Sequence, residues 1–111
     1  MLSDTLTKTA RAVSEAIRQT QEYKDYIGQK KLVRANRETS HLIERARYIQ
    51  EKLMEIPEND RNSDYADSLQ DEYEELTENT AVYDYIRAES LYMTMVQETI
   101  GTIVEDIDIE L

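Results

Sequence analysis

Residues 79–107 read NTAVYDYIRAESLYMTMVQETIGTIVEDI. No Pro interrupts this run, and its single Gly is Gly101. Val82, Ile86, Met93, Val96, Ile100, Ile103 and Ile107 fall on one helical stripe, broken only at Glu89. A second stripe sits one residue earlier, at Ala81, Tyr85, Ala88, Tyr92 and Met95. One residue is about 100° of rotation, so the two stripes together make an apolar sector wider than a single seam. Asn79 stands where an N-cap belongs. The stretch is expected to be a long C-terminal helix that needs cover on two sides, either at the centre of a bundle or against a second subunit.

The segments upstream carry the same periodicity. Leu42, Ala46, Ile49, Leu53 and Ile56 alternate spacings of three and four, the seam of a helix against a near-parallel neighbour. Asn36 precedes this helix as a cap, and Pro57 ends it by pushing the residue before it out of helical geometry. Residues 57–64 form a polar loop. Tyr65, Leu69, Glu72 or Tyr73, and Leu76 mark a shorter, acidic helix. Toward the N-terminus, Leu6, Ala10, Val13 and Ile17 recur at helical spacing behind a cap at Ser3 or Asp4. Thr20 caps a further helix whose short apolar face holds Tyr23, Tyr26, Ile27 and Leu32 or Val33, and which Gly28 weakens by about 1 kcal/mol relative to Ala. The tail from Ile107 to Leu111 alternates apolar and acidic residues and is expected to fray. These readings give an all-α fold, a small helical bundle of four to five helices with a long C-terminal helix, in a single domain spanning residues 1–111.

Composition agrees with that class and narrows the chemistry. Of 111 residues, 40% are hydrophobic and 33% charged, against about 25% charged in an ordinary domain. One Pro and two Gly are too few breakers for an all-β chain. Cys is absent, which removes disulfides, thiolate metal sites, iron–sulfur ligation and cysteine nucleophiles. No apolar run approaches the ~18 residues of a membrane span, and Met1-Leu2-Ser3-Asp4 opens no signal peptide, so a cytoplasmic protein is expected.

The net charge of −11 is unevenly distributed. Residues 1–50 hold ten Lys or Arg and six Asp or Glu, whereas residues 51–111 hold three and eighteen. An acidic total disfavours nucleic acid and anionic membrane as main partners. The split suggests basic N-terminal helices lying against acidic C-terminal ones, within or between chains, although two ordinary solvated faces would give the same count.

Candidate chemistry is sparse. The only His is His41, and Glu38-x-x-His41 has the spacing used by di-iron helical bundles. Such a site needs a second motif and two further carboxylates, so the plainer reading is a surface His beside Glu38 and Glu44. Acidic pairs such as Asp71-Glu72 and Glu74-Glu75 lie in a run too hydrophilic to desolvate a general acid. The 57–64 loop lacks the Gly of a calcium loop, and no phosphate loop or nucleophile elbow is present. No cofactor, metal or catalytic residue is expected.

Contacts with other proteins are the better prospect. Lys30, Lys31, Arg34 and Arg37 form a basic cluster, a candidate electrostatic contact for acidic surface around Glu72 to Glu78. All eight aromatic residues are Tyr, which pairs apolar area with a hydroxyl that stays wet. The second stripe, Ala81, Tyr85, Ala88, Tyr92 and Met95, is therefore a candidate subunit or partner interface, against the alternative of packing inside one bundle.

Three stretches resemble the YlbF/YmcA family of small bacterial helical proteins. They are Ala10-x-x-Val13-x-x-x-Ile17-x-x-Thr20-x-x-Tyr23-x-x-Tyr26, then Ala35-Asn36-x-Glu38, and Asn79-x-x-Val82-x-x-Tyr85-Ile86-Arg87-Ala88-Glu89-x-x-Tyr92. The resemblance implies an all-α fold, no catalytic activity, and homo-oligomers or hetero-oligomers with relatives. It also implies a regulatory adaptor in competence, sporulation or biofilm control, linked to RNase Y-type mRNA processing. Some relatives carry a Cys-bearing extension tied to an iron–sulfur cofactor. This chain has no Cys, so that cofactor is not implied for it. Two other classes compete with the adaptor, a purely structural helical oligomer and a metal-dependent enzyme.

Overall fold

Local signals in the sequence set where each helix starts. Ser3, Asn36 and Ser63 each adopt extended backbone and turn a side-chain oxygen onto an N–H of the first turn, from Leu6, Thr39 and Ala66 respectively. Asn79 does the same for Val82 N–H at 3.1 Å. Thr20 works in both directions. Its hydroxyl donates to the Ile17 carbonyl at 2.6 Å and accepts from Tyr23 N–H at 3.2 Å, closing one helix and opening the next without Gly or Pro.

In the computed structural model, which describes residues 1–108, five α-helices and one short 3-10 turn follow in order. They are α1 (Asp4–Arg18), α2 (Gln21–Arg34), α3 (Arg37–Glu55), the turn Glu58–Asp60, α4 (Asp64–Thr77) and α5 (Thr80–Glu105). No strand occurs among the described residues. Pro57 ends α3 as expected, with Ile56 already extended. Helix α2 runs through Gly28 to Arg34. Residues 109–111, part of the tail expected to fray, lie outside the described residues.

The chain divides into two compact units. The middle unit is Gln29–Arg87, and the terminal unit joins Met1–Gly28 to Ala88–Leu111. In the middle unit, α3 and α4 form a close helical hairpin. Its core is Ile43, Ala46 and Ile49 from α3, Ala66 and Leu69 from α4, and Val82 and Tyr85 from the start of α5, all buried. Thr39 is the one buried polar residue among those described. The sequence pattern placed Leu42 and Tyr65 on the inward faces, and the structure shifts both. Leu42 is half-buried beside buried Ile43, and Tyr65 is exposed beside buried Ala66. A small side chain at the contact lets α4 approach α3 closely, which turns the bulky Tyr65 outward.

The terminal unit is different in kind. Helix α1 has a strongly one-sided apolar face yet no buried residue. Ala88 is the only buried residue described in this unit. Its best packing is a tyrosine cluster: Tyr26 and Tyr92 stack with centroids 4.8 Å apart at 6°, and Tyr23 meets Tyr92 edge-on at 5.8 Å.

Candidate interaction face

The two stripes of α5 have distinct fates in the structure. Tyr85 and Ala88 of the second stripe are buried, and Tyr92 and Met95 are half-buried. Only Ala81 is exposed. The Tyr85 hydroxyl accepts from Arg47 at 2.8 Å, so its polar end is satisfied within the middle unit. Four of the five residues of the expected interface are thus at least partly covered within one chain, and Ala81 stays open to solvent.

The first stripe turns inward only at its beginning, where Val82 is fully buried and Ile86 half-buried. From Met93 onward it opens to solvent: Met93 is 47%, Ile100 53%, Ile103 48% and Ile107 51% exposed. Val96 among them is half-buried. Within the terminal unit this row faces α1 across a groove of about 410 Å³, lined by Ala10, Val13 and Ile17 on one side and Val96, Ile100 and Ile103 on the other. Leu6 extends the α1 side and is itself exposed. The sequence pattern identified both apolar rows but not which of the α5 rows remains open, because periodicity reports the rows and not their neighbours.

Charged groups fall outside this groove for the most part. Arg45 on α3 grips the Glu72 carboxylate on α4 with two hydrogen bonds, one of them 2.9 Å from Nη2. Hydrogen bonding to Arg45 holds the Glu72 carboxyl below its ordinary pKa and raises that of Arg45. Glu72, expected to meet the basic cluster, is thus committed to Arg45 within the chain. Lys31, Arg34 and Arg37 are exposed and make no ion pair among the described residues, while Lys30 is half-buried and has a partner. Near them, Leu32 and Val33 line a second groove with Ala81, of about 400 Å³.

Glu38 and His41 are both exposed on α3. Among the described residues, no three His, Cys, Asp or Glu side chains gather closely enough to hold a metal ion. No helix among them is long and apolar enough to cross a membrane.

A family model described as control of competence regulator ComK, YlbF/YmcA, matches residues 6–108, nearly the whole chain. The chain belongs to the YlbF/YmcA family. That description carries a regulatory role in the competence context. No curated protein and no solved structure matches the chain. In this YlbF/YmcA protein, the Arg87-Ala88-Glu89 segment behind the resemblance sits where the two units share α5, with Arg87 exposed, Ala88 buried and Glu89 half-buried and partnered.

Proposed function

We propose that this YlbF/YmcA protein is a non-enzymatic regulatory adaptor that acts by presenting helix faces to other proteins. The match over residues 6–108 to a family described by its control of a competence regulator carries this reading. The open apolar face of the terminal unit supports it, since contiguous apolar surface on a small chain is a usual mark of a protein contact. On this reading the chain associates with copies of itself or with family relatives, and its regulatory partner is a component of mRNA processing such as an RNase Y-type endoribonuclease.

Crosslinked co-purification of tagged protein from its own host tests the reading. The expected result is recovery of an RNase Y-type nuclease or of YlbF/YmcA relatives, lost when the crosslinker is omitted or when an untagged strain is used. Recovery of this chain alone would favour the purely structural oligomer. A stoichiometric divalent metal with turnover of a phosphodiester would favour an enzyme.

A further inference from the structure

The loop end of the α3–α4 hairpin, within the middle unit, carries an open apolar groove of about 380 Å³. Leu53, Met54 and Ile56 line it from α3 and its end, and Ala66 from α4, with the charged Asp67 and Arg61 beside them. Leu53 and Ile56 are half-buried, whereas Met54 is 82% exposed. An unbranched thioether left in water costs apolar burial, and its three rotatable bonds let it mould to an incoming side chain.

Charge selects the occupant. Besides Glu72, which Arg45 holds, α4 and its cap carry Asp64, Asp67, Asp71, Glu74, Glu75 and Glu78, with no Lys or Arg. These six are exposed, and none is in an ion pair among the described residues. The basic cluster of the same unit, Lys31, Arg34 and Arg37, leaves them unpaired too. Asp67, Asp71, Glu74 and Glu78 are spaced four, three and four residues apart, so they form one row along α4 that starts at the groove wall. At ~1.5 Å per residue the row spans roughly 16 Å, about three helical turns. Part of it works against its own helix. Glu74, Glu75 and Glu78 lie at the C-terminal end, where the helix dipole disfavours negative charge, and no base in the last turn offsets them. An acidic row repels RNA and anionic membrane and attracts a basic segment. We infer that the groove and this row together dock a basic amphipathic helix of another protein, with an apolar side chain against Met54 and Lys or Arg along the row. The inference rests on the adaptor reading and gives one face of the adaptor a partner chemistry. A defined peptide that fails to bind sinks this face alone, whereas co-purification judges the adaptor reading.

The probe is a fluorescein-labelled amphipathic helix of Leu, Ala and Lys, matched to the 14 residues of α4 and followed by fluorescence anisotropy on the full chain. Wild type is expected to bind it, about tenfold more weakly when Gln replaces each Lys, and more weakly as salt rises from about 50 to 300 mM. Met54→Ala and Asp67→Lys/Asp71→Lys should each weaken binding about tenfold. Glu98→Lys/Glu105→Lys makes the same change in net charge at exposed positions of the terminal unit, and should stay within about twofold of wild type. Should Asp67→Lys/Asp71→Lys lose helical circular dichroism, Asp71→Asn/Glu78→Gln reads the same loss, since neither position is buried and neutralising Glu78 relieves the helix dipole. No binding by wild type would overturn the inference. So would equal weakening by the α4 and α5 charge reversals, which would mean attraction to net charge alone. Binding unchanged in Met54→Ala, or equal binding of the Gln peptide, would overturn it as well.

Discussion

Replacing Ile49 with Ala tests the core on which the middle unit depends. Ile49 is 0% exposed, on the α3 face that also buries Ile43 and Ala46. Truncation removes three carbons, worth about 2.4 kcal/mol of transfer free energy at ~0.8 kcal/mol each. The cavity left behind adds to this, because α3, α4 and the start of α5 collapse only partly around it. Ala is a better helix former than Ile, which returns a few tenths of a kcal/mol. The net loss is expected at about 3 kcal/mol, within the ~2–5 kcal/mol range for such truncations. Urea unfolding followed by helical circular dichroism should show a lower midpoint with an unchanged slope. Met54→Ala, at a side chain 82% exposed in the same unit, serves as the control and should stay within about 0.5 kcal/mol of wild type. A loss below about 1 kcal/mol for Ile49→Ala, or one equal to that of Met54→Ala, would refute the placement of this core.

Three further outcomes are expected. Asn36→Ala removes the cap that accepts from Thr39 N–H at 3.1 Å and should cost about 1 kcal/mol in unfolding free energy, with Asn36→Asp close to wild type. The Glu72 carboxyl is held below its ordinary value of 4.5, so its pairing stabilises the fold fully above that value and is lost as pH falls through the lowered one. Glu72→Gln should therefore flatten the loss of stability between about pH 5 and pH 3, and an unchanged acid-unfolding profile would contradict the pairing. Elemental analysis of purified protein should find no stoichiometric iron or zinc, and one metal per chain would point back to Glu38 and His41.

Much of this architecture was legible because it rests on local chemistry. The caps at Ser3, Thr20, Asn36 and Asn79 and the stop at Pro57 depend on a few neighbouring atoms, and sequence carries those in full. Helical periodicity likewise exposed the two rows of α5. What it could not reveal was their assignment. Whether Tyr92 packs or faces outward depends on Tyr26, sixty-six positions away, stacking on it at 4.8 Å. The same limit explains Leu42 and Ile43, adjacent residues with similar apolar character, whose burial is decided by where α4 lies. Arg45 and Glu72 gave no sequence signal either, since an ion pair between two helices has no fixed spacing along the chain.

Thermal unfolding at two protein concentrations tests most directly the proposed association of this chain with its own copies through the open apolar face of the terminal unit. For a fold coupled to dimer formation, a hundredfold rise in concentration adds about 2.7 kcal/mol per dimer, or roughly 1.4 kcal/mol per chain. The midpoint between about 1 and 100 µM should then rise by several degrees. The rise should vanish in Ile100→Glu/Ile103→Glu. A wild-type midpoint independent of concentration across that range, with a mass of one chain at both ends, would contradict the account.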